Sequence, residues 1–136
     1  MSMKQTNGAI GNHALTFRNA AADVAVSGNT SLGEVYCNGV ERLGVHVANA
    51  TGGGALDAFL VQFKYHKDGD YVTVASAAAD FTTPNWPVLN VAVDVVTLAA
   101  AANGLFVLDV RGVYSVKFLA SANTSVSVVT IQGGGK

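Results

Sequence analysis

Leu105-Phe106-Val107-Leu108-Asp109-Val110-Arg111-Gly112-Val113-Tyr114-Ser115-Val116-Lys117-Phe118-Leu119, continued beyond Ser121-Ala122-Asn123 by Ser125–Ile131, is the stretch that decides the fold. It contains three apolar-rich runs, Leu105–Val110, Val113–Leu119 and Ser125–Ile131, broken at Arg111-Gly112 and at Ser121-Ala122-Asn123. In the middle run Tyr114, Val116, Phe118 and Ala120 fall on one side, and Val113, Ser115, Lys117 and Leu119 on the other. Alternation with period two marks a strand with one buried face. Each large apolar side chain buried is worth roughly 1.5–3 kcal/mol, so this register is favoured by several such increments. The flanking runs are apolar on both faces in places, as in Leu105-Phe106-Val107-Leu108, which predicts central or doubly covered strands.

Outward from this stretch the same signals recur. Ala14–Arg18, Asp23–Ser27 and Gly33–Cys37 are strand candidates. Asn38-Gly39 tolerates positive φ and predicts a tight turn, with Glu41–Ala50 as the return strand and Leu43, Val45 and Val47 inward. After the loop Thr51–Gly54, a hairpin is expected from Ala58–His66 and Tyr71–Ala75 around Asp68-Gly69, with Phe59, Val61, Phe63 and Tyr65 facing the core. Ala77–Pro87 holds both prolines and predicts an ordered surface loop. Val88–Val96 predicts a strand, and Thr97 a cap for one helical turn through Ala99–Ala102, closed by Asn103-Gly104.

The expected organisation is an N-terminal arm at 1–13, one domain at 14–132 and a tail at 133–136. The fold expected is all-β: an antiparallel β-sandwich of about eight strands, of Greek-key or jelly-roll type, with at most one short helical turn.

Composition narrows the function classes. The chain has 136 residues, enough for one core without staples. Half of them are hydrophobic, yet only 12% are charged, about half the usual quarter. A lone soluble domain normally coats itself with charge, so a surface of Ser, Thr, Asn, Gly and Ala predicts an assembly that covers much of it. Net charge is −1 and the eight basic residues form no stripe, which argues against a nucleic-acid partner. No signal pattern opens the chain and no apolar run is long enough for a membrane helix, so no membrane partner is expected. The single cysteine, Cys37, reads as a small buried hydrophobe.

The apparent motifs have simpler explanations. Thr51-Gly52-Gly53-Gly54 lacks the Lys-Ser/Thr pair of a phosphate loop. Asp68-Gly69-Asp70 lacks the distal glutamate of a calcium loop. His46 and His66 fall on neighbouring expected strands, without a third ligand. No serine sits in a nucleophile turn. The sequons at Asn29, Asn49 and Asn123 are common products of Ser/Thr/Asn-rich loops. The expectation is therefore no enzyme, no catalytic residue, no metal and no cofactor. Contact is expected instead from the proline-flanked aromatic loop, at Phe81, Pro84, Trp86 and Pro87, and from Met3 and Lys4 of the arm.

The segment Asn103-Gly104-Leu105-Phe106-Val107-Leu108-Asp109-Val110-Arg111-Gly112-Val113-Tyr114-Ser115-Val116, the small residues after it, the Gly-rich end and the polar arm together resemble the head cement or decoration proteins of tailed bacteriophages. The resemblance implies a β-sandwich, often a jelly roll. It implies homodimers or homotrimers on the outside of the capsid that bridge major capsid subunits, in a virion assembled in the host cytoplasm. Two other classes fit the same pattern: a receptor- or carbohydrate-binding module of a fibre or adhesin, and a neck or tail structural protein.

Overall fold

The computed structural model describes residues 3–10, 13–37, 39–90 and 93–136. Strands β1 (Met3–Ile10), β2 (His13–Asn19), β3 (Ala22–Val24), β4 (Thr30–Tyr36), β5 (Arg42–Asn49), β6 (Leu56–Lys64) and β7 (Val72–Ala75) precede a short helix, α1 (Ala78–Thr82). Strands β8 (Asn103–Asp109), β9 (Ser115–Ala122) and β10 (Ser127–Gly135) complete the chain. The first sheet runs β1-β2-β10-β5-β8, with β3 also on β10, and the second runs β4-β9-β6-β7. Every pairing is antiparallel.

β2 and β3 act as one strand broken by a bulge. Arg18 opposes Gln132 and Ala22 opposes Val129, a shift of one residue. Asn19 sits at the break and splints it: its Oδ1 accepts from the Ile131 amide at 2.8 Å. With β2 and β3 taken together, the chain from there on alternates between sheets except at the β6–β7 hairpin, and its final strand lies beside that first one. That order is a jelly roll with β1 added at one edge.

The alternation read from sequence puts side chains where the core needs them. Val116, Phe118 and Ala120 of β9 are fully buried, as are Phe59, Val61 and Phe63 of β6 and Leu43 and Val47 of β5. Phe59 is the hub of the core, with ring centroids 5.7 Å from Phe81, 6.0 Å from Phe106 and 6.3 Å from Phe118. Tyr65 departs from the expected inward row because β6 ends at Lys64; the residue is 59% exposed.

Several expectations are corrected. Gly39 does turn the chain with φ +79, but β4 and β5 do not pair. β4 pairs β9 and β5 pairs β10 and β8, so the turn arches from one sheet to the other. Asn38 falls outside the described residues. The arm is an edge strand, with Met3 opposite Asn19 and Asn7 opposite Leu15. The tail belongs to β10: Gly133, Gly134 and Gly135 pair with both β2 and β5. A Cβ on Gly133 would run into the Gly44 carbonyl and the Phe17 ring, so close approach requires glycine there.

No strand forms over the described part of Val88–Val96. Only Val88 bridges, to Asn85 and Leu108, and Asp94 turns the chain by accepting from the Val96 amide at 2.9 Å. The helical turn expected at Ala99–Ala102 lies instead at α1. There Asp80 accepts from the Ser76 and Ala77 amides at 3.0 and 2.9 Å. Among the described residues, no helix is long and apolar enough to cross a membrane.

Candidate functional site at the tyrosine end

The strand directions bring three connections to one end of the sandwich: residues 37–41 between β4 and β5, 65–71 between β6 and β7, and 110–114 between β8 and β9. All four tyrosines of the chain, Tyr36, Tyr65, Tyr71 and Tyr114, lie on these connections or at the strand ends beside them. Tyr36 and Tyr65 are 48% and 59% exposed. They border an open groove of about 970 Å³ whose lining also includes Glu34, Glu41, Arg111 and Tyr114.

The rings are held from behind. Tyr36 packs edge-on to Tyr114 at 5.6 Å, and Tyr65 edge-on to the buried Phe63 at 6.4 Å. Tyr71 folds over the outer face of the second sheet, where its hydroxyl pairs with Ser115 Oγ at 2.6 Å. Lys64 Nζ lies 5.0 Å from the Tyr71 ring centroid and 5.5 Å from that of Tyr114, and Lys117 Nζ 5.5 Å from Tyr71. A cation over an aromatic face is attracted by the ring quadrupole, so the two lysines help to fix the rings of Tyr71 and Tyr114. Burial pushes the Tyr71 phenol up to about 12; the Ser115 hydrogen bond opposes this and the Glu34 charge reinforces it.

Two further devices stiffen the groove. Arg111 Nε and Nη2 donate to Asp109 Oδ1 and Oδ2 at 2.9 and 2.8 Å, a two-pronged bond that aims the exposed guanidinium. Those hydrogen bonds hold the Asp109 carboxyl below its usual range against the opposing effect of burial. On the opposite wall the Gln5 side chain acts as a length of missing strand. Its Nε2 donates to the Tyr36 carbonyl at 2.7 Å, and its Oε1 accepts from the Tyr36 amide at 2.9 Å. The free edge of β4 is closed in this way.

The expected contact residues scatter. Phe81 is fully buried against Phe59 and Phe106, so the surface it was expected to offer belongs to the core. Pro87 is buried too, and its carbonyl accepts from the Asp109 amide at 2.8 Å. Pro84 and Trp86 are exposed, Trp86 by 54%, with its ring edge-on to Phe63 at 5.9 Å. Lys4 is exposed on β1, and Met3 packs across β4 above Gly33, at the groove margin. Beside Trp86 an apolar belt follows β8, through Leu89 (40% exposed) and Leu105 (63%). Leu89 is tied to that strand by its amide, which donates to the Val107 carbonyl at 2.9 Å.

His46 and His66 are not brought together. His46 lies on β5, between Asn103 Oδ1 at 2.9 Å and Gln132 Nε2 at 3.1 Å. His66 lies in the β6–β7 connection, where its Nδ1 accepts from the Asp68 amide at 3.0 Å. Among the described residues no three His, Cys, Asp or Glu side chains group as metal ligands. Cys37 is buried, which pushes its thiol up to about 12. The tyrosine groove was missed from sequence because its members are scattered from position 3 to 114. The one local signal was the placing of every tyrosine at a strand end or turn.

No protein-family model matches the chain, and no curated protein matches it significantly. Among solved structures, the crystal structure of the SPBc2 prophage-derived protein YomS is similar, with a TM-score of 0.49 and 13% identity over 98% of this chain and 95% of that one.

Proposed function

We propose that this protein is a non-enzymatic structural component of a bacteriophage particle, which cements the outside of an icosahedral head by bridging major capsid subunits. The observation that carries the reading is the apolar belt of Trp86, Leu89 and Leu105 on a rigid edge, in a chain with only 12% charged residues. Aromatic anchors backed by a packed core lose little entropy on docking and concentrate binding energy. The jelly-roll order and the resemblance of the segment 103–116 to head decoration proteins support the same reading. In this role the protein associates with copies of itself, as a dimer or trimer, and with the shell. Each copy adds modest buried area, and symmetric repetition multiplies the effect.

The test is to assemble heads with and without the protein and to follow DNA release on heating. Heads that carry it retain DNA to higher temperature, and the double variant Trp86→Ala/Leu105→Asp fails to protect and no longer sediments with heads. Equal release temperatures with and without the protein overturn the reading.

A further inference from the structure

We infer that the tyrosine-lined groove is a binding site for a neutral oligosaccharide, separate from the apolar belt along β8. The inference goes beyond shell docking and does not depend on it.

The groove combines the two features a sugar ring needs. A pyranose has an apolar C–H face and a rim of hydroxyl groups. Tyr36 and Tyr65 offer half-exposed ring surface for the first, and each is fixed from behind by another aromatic ring. For the rim, Glu34 and Glu41 supply carboxylate acceptors, and the exposed face of Arg111 supplies donors. Asp109 occupies one side of the guanidinium and sets its plane before any ligand arrives. Such preorganisation lowers the entropy cost of binding. The volume of about 970 Å³ lies at the upper end of the range for small-molecule sites, about 300–1,000 Å³, and the groove is open, which suits a short chain of sugars.

Charge and hydrogen-bonding capacity select this class over others. Glu34 faces Lys117 across the paired strands, and Glu41 interacts with the Arg111 guanidinium. The end therefore carries no strong field of either sign to draw a phosphorylated or polybasic ligand. A proline-rich peptide also docks on aromatic grooves, but its backbone presents carbonyl acceptors, which cannot engage two carboxylates. Sugar hydroxyls donate as well as accept and can use both. Gly39 and Gly112, at φ +79 and +76, line the groove with open space where a side chain would stand, which leaves the backbone of both loops within reach of a ligand.

The experiment presents the full chain to an array of neutral oligosaccharides, acidic oligosaccharides and proline-rich peptides, and then titrates the neutral oligosaccharide retained best while tyrosine fluorescence is followed. Saturable binding to neutral oligosaccharides is expected. It should weaken by about thirtyfold in Tyr36→Ala and in Tyr65→Ala, the loss typical of an anchoring side chain. Glu41→Gln should also weaken it, with unchanged thermal unfolding because Glu41 is exposed. Trp86→Ala, which alters the belt, should bind as the parent does, while failing in the head-protection assay. Retention of proline-rich peptides or acidic oligosaccharides alone, no retention at all, or parental affinity in the two tyrosine variants would each overturn the inference.

Discussion

The two ends of this jelly roll are built by the same architecture to opposite effect. At the far end, the connections 25–29, 50–55 and 123–126 contain no aromatic and no charged residue. They bind one another through backbone: Ala122 N to Ala25 O at 2.9 Å, Gly54 N to Val126 O at 3.0 Å, and Asn123 N to Ala55 O at 2.9 Å. Ser127 Oγ adds a bond to the Gly54 carbonyl at 2.6 Å. At the tyrosine end the connections are also tied through backbone, Cys37 N to Tyr114 O at 3.0 Å and Val110 N to Glu41 O at 2.9 Å, but rings, carboxylates and a guanidinium are added to that frame and face outward. An end without aromatic or charged side chains has little to offer a partner. An end fixed by side chains keeps both its shape and its capacity to bind.

This contrast can be broken at several points. Phe63 is the shared floor beneath Tyr65 and Trp86. Phe63→Ala should cost about 3–5 kcal/mol, read by denaturant unfolding, and should loosen both exposed rings, seen as a changed Trp86 emission. The far end should be the more sensitive to a small addition where its connections cross, at Gly54. A Cβ on Gly54 falls on the Ser125 backbone, whereas one on Gly112 meets nothing. Gly54→Ala should therefore cost about 1–3 kcal/mol. Gly112→Ala should cost only the strain of a positive φ, about 1 kcal/mol. Equal effects at the two glycines would remove the distinction between the ends.

Smaller effects sharpen the picture of how the tyrosine end is held. Gln5→Ala removes two hydrogen bonds to Tyr36 and should cost about 1 kcal/mol in all, since water can replace them. Its clearer signature is faster hydrogen exchange of the Tyr36 amide. The weakest effect is that of pH. The Asp109 carboxyl is held below its ordinary 3.8 by Arg111, so the folded state binds fewer protons there than the unfolded chain. That contribution is present above about pH 4 and is lost as pH falls through the lowered value. In Arg111→Ala the acid limb of the stability curve should flatten.

Legibility from sequence followed the reach of the interactions involved. β9 and the β6–β7 hairpin were plain because alternation and turn chemistry are local. The β4–β5 hairpin failed because Gly39 specifies a turn but not whether the strands leaving it share a sheet; here they arch across the core. The glycines at 133–135 carry no side-chain pattern, and the reason for glycine at 133 shows only in three dimensions, where Gly44 and Phe17 leave no space for a side chain. Among the described residues, the apolar run from Val88 lacks the ladder partners of a strand beyond the two bridges of Val88 itself. Phe81 looked available because it neighbours prolines and Trp86, but α1 turns it inward onto Phe59. The groove was illegible because topology alone assembles it from residues that are remote in the chain.

The placing of β10 has a kinetic corollary. It is the seam of the first sheet, zipped to β2 and β3 on one side and to β5 on the other, and Asn19 reaches across it to residues 110 and 112 positions away. Loop-closure entropy must be overcome before such remote partners reward it, so folding should be slow, on the millisecond-to-second scale of high-contact-order β proteins. Until the seam closes, β2 and β5 are raw edges, and the nascent domain is most vulnerable to pairing with its neighbours during that interval.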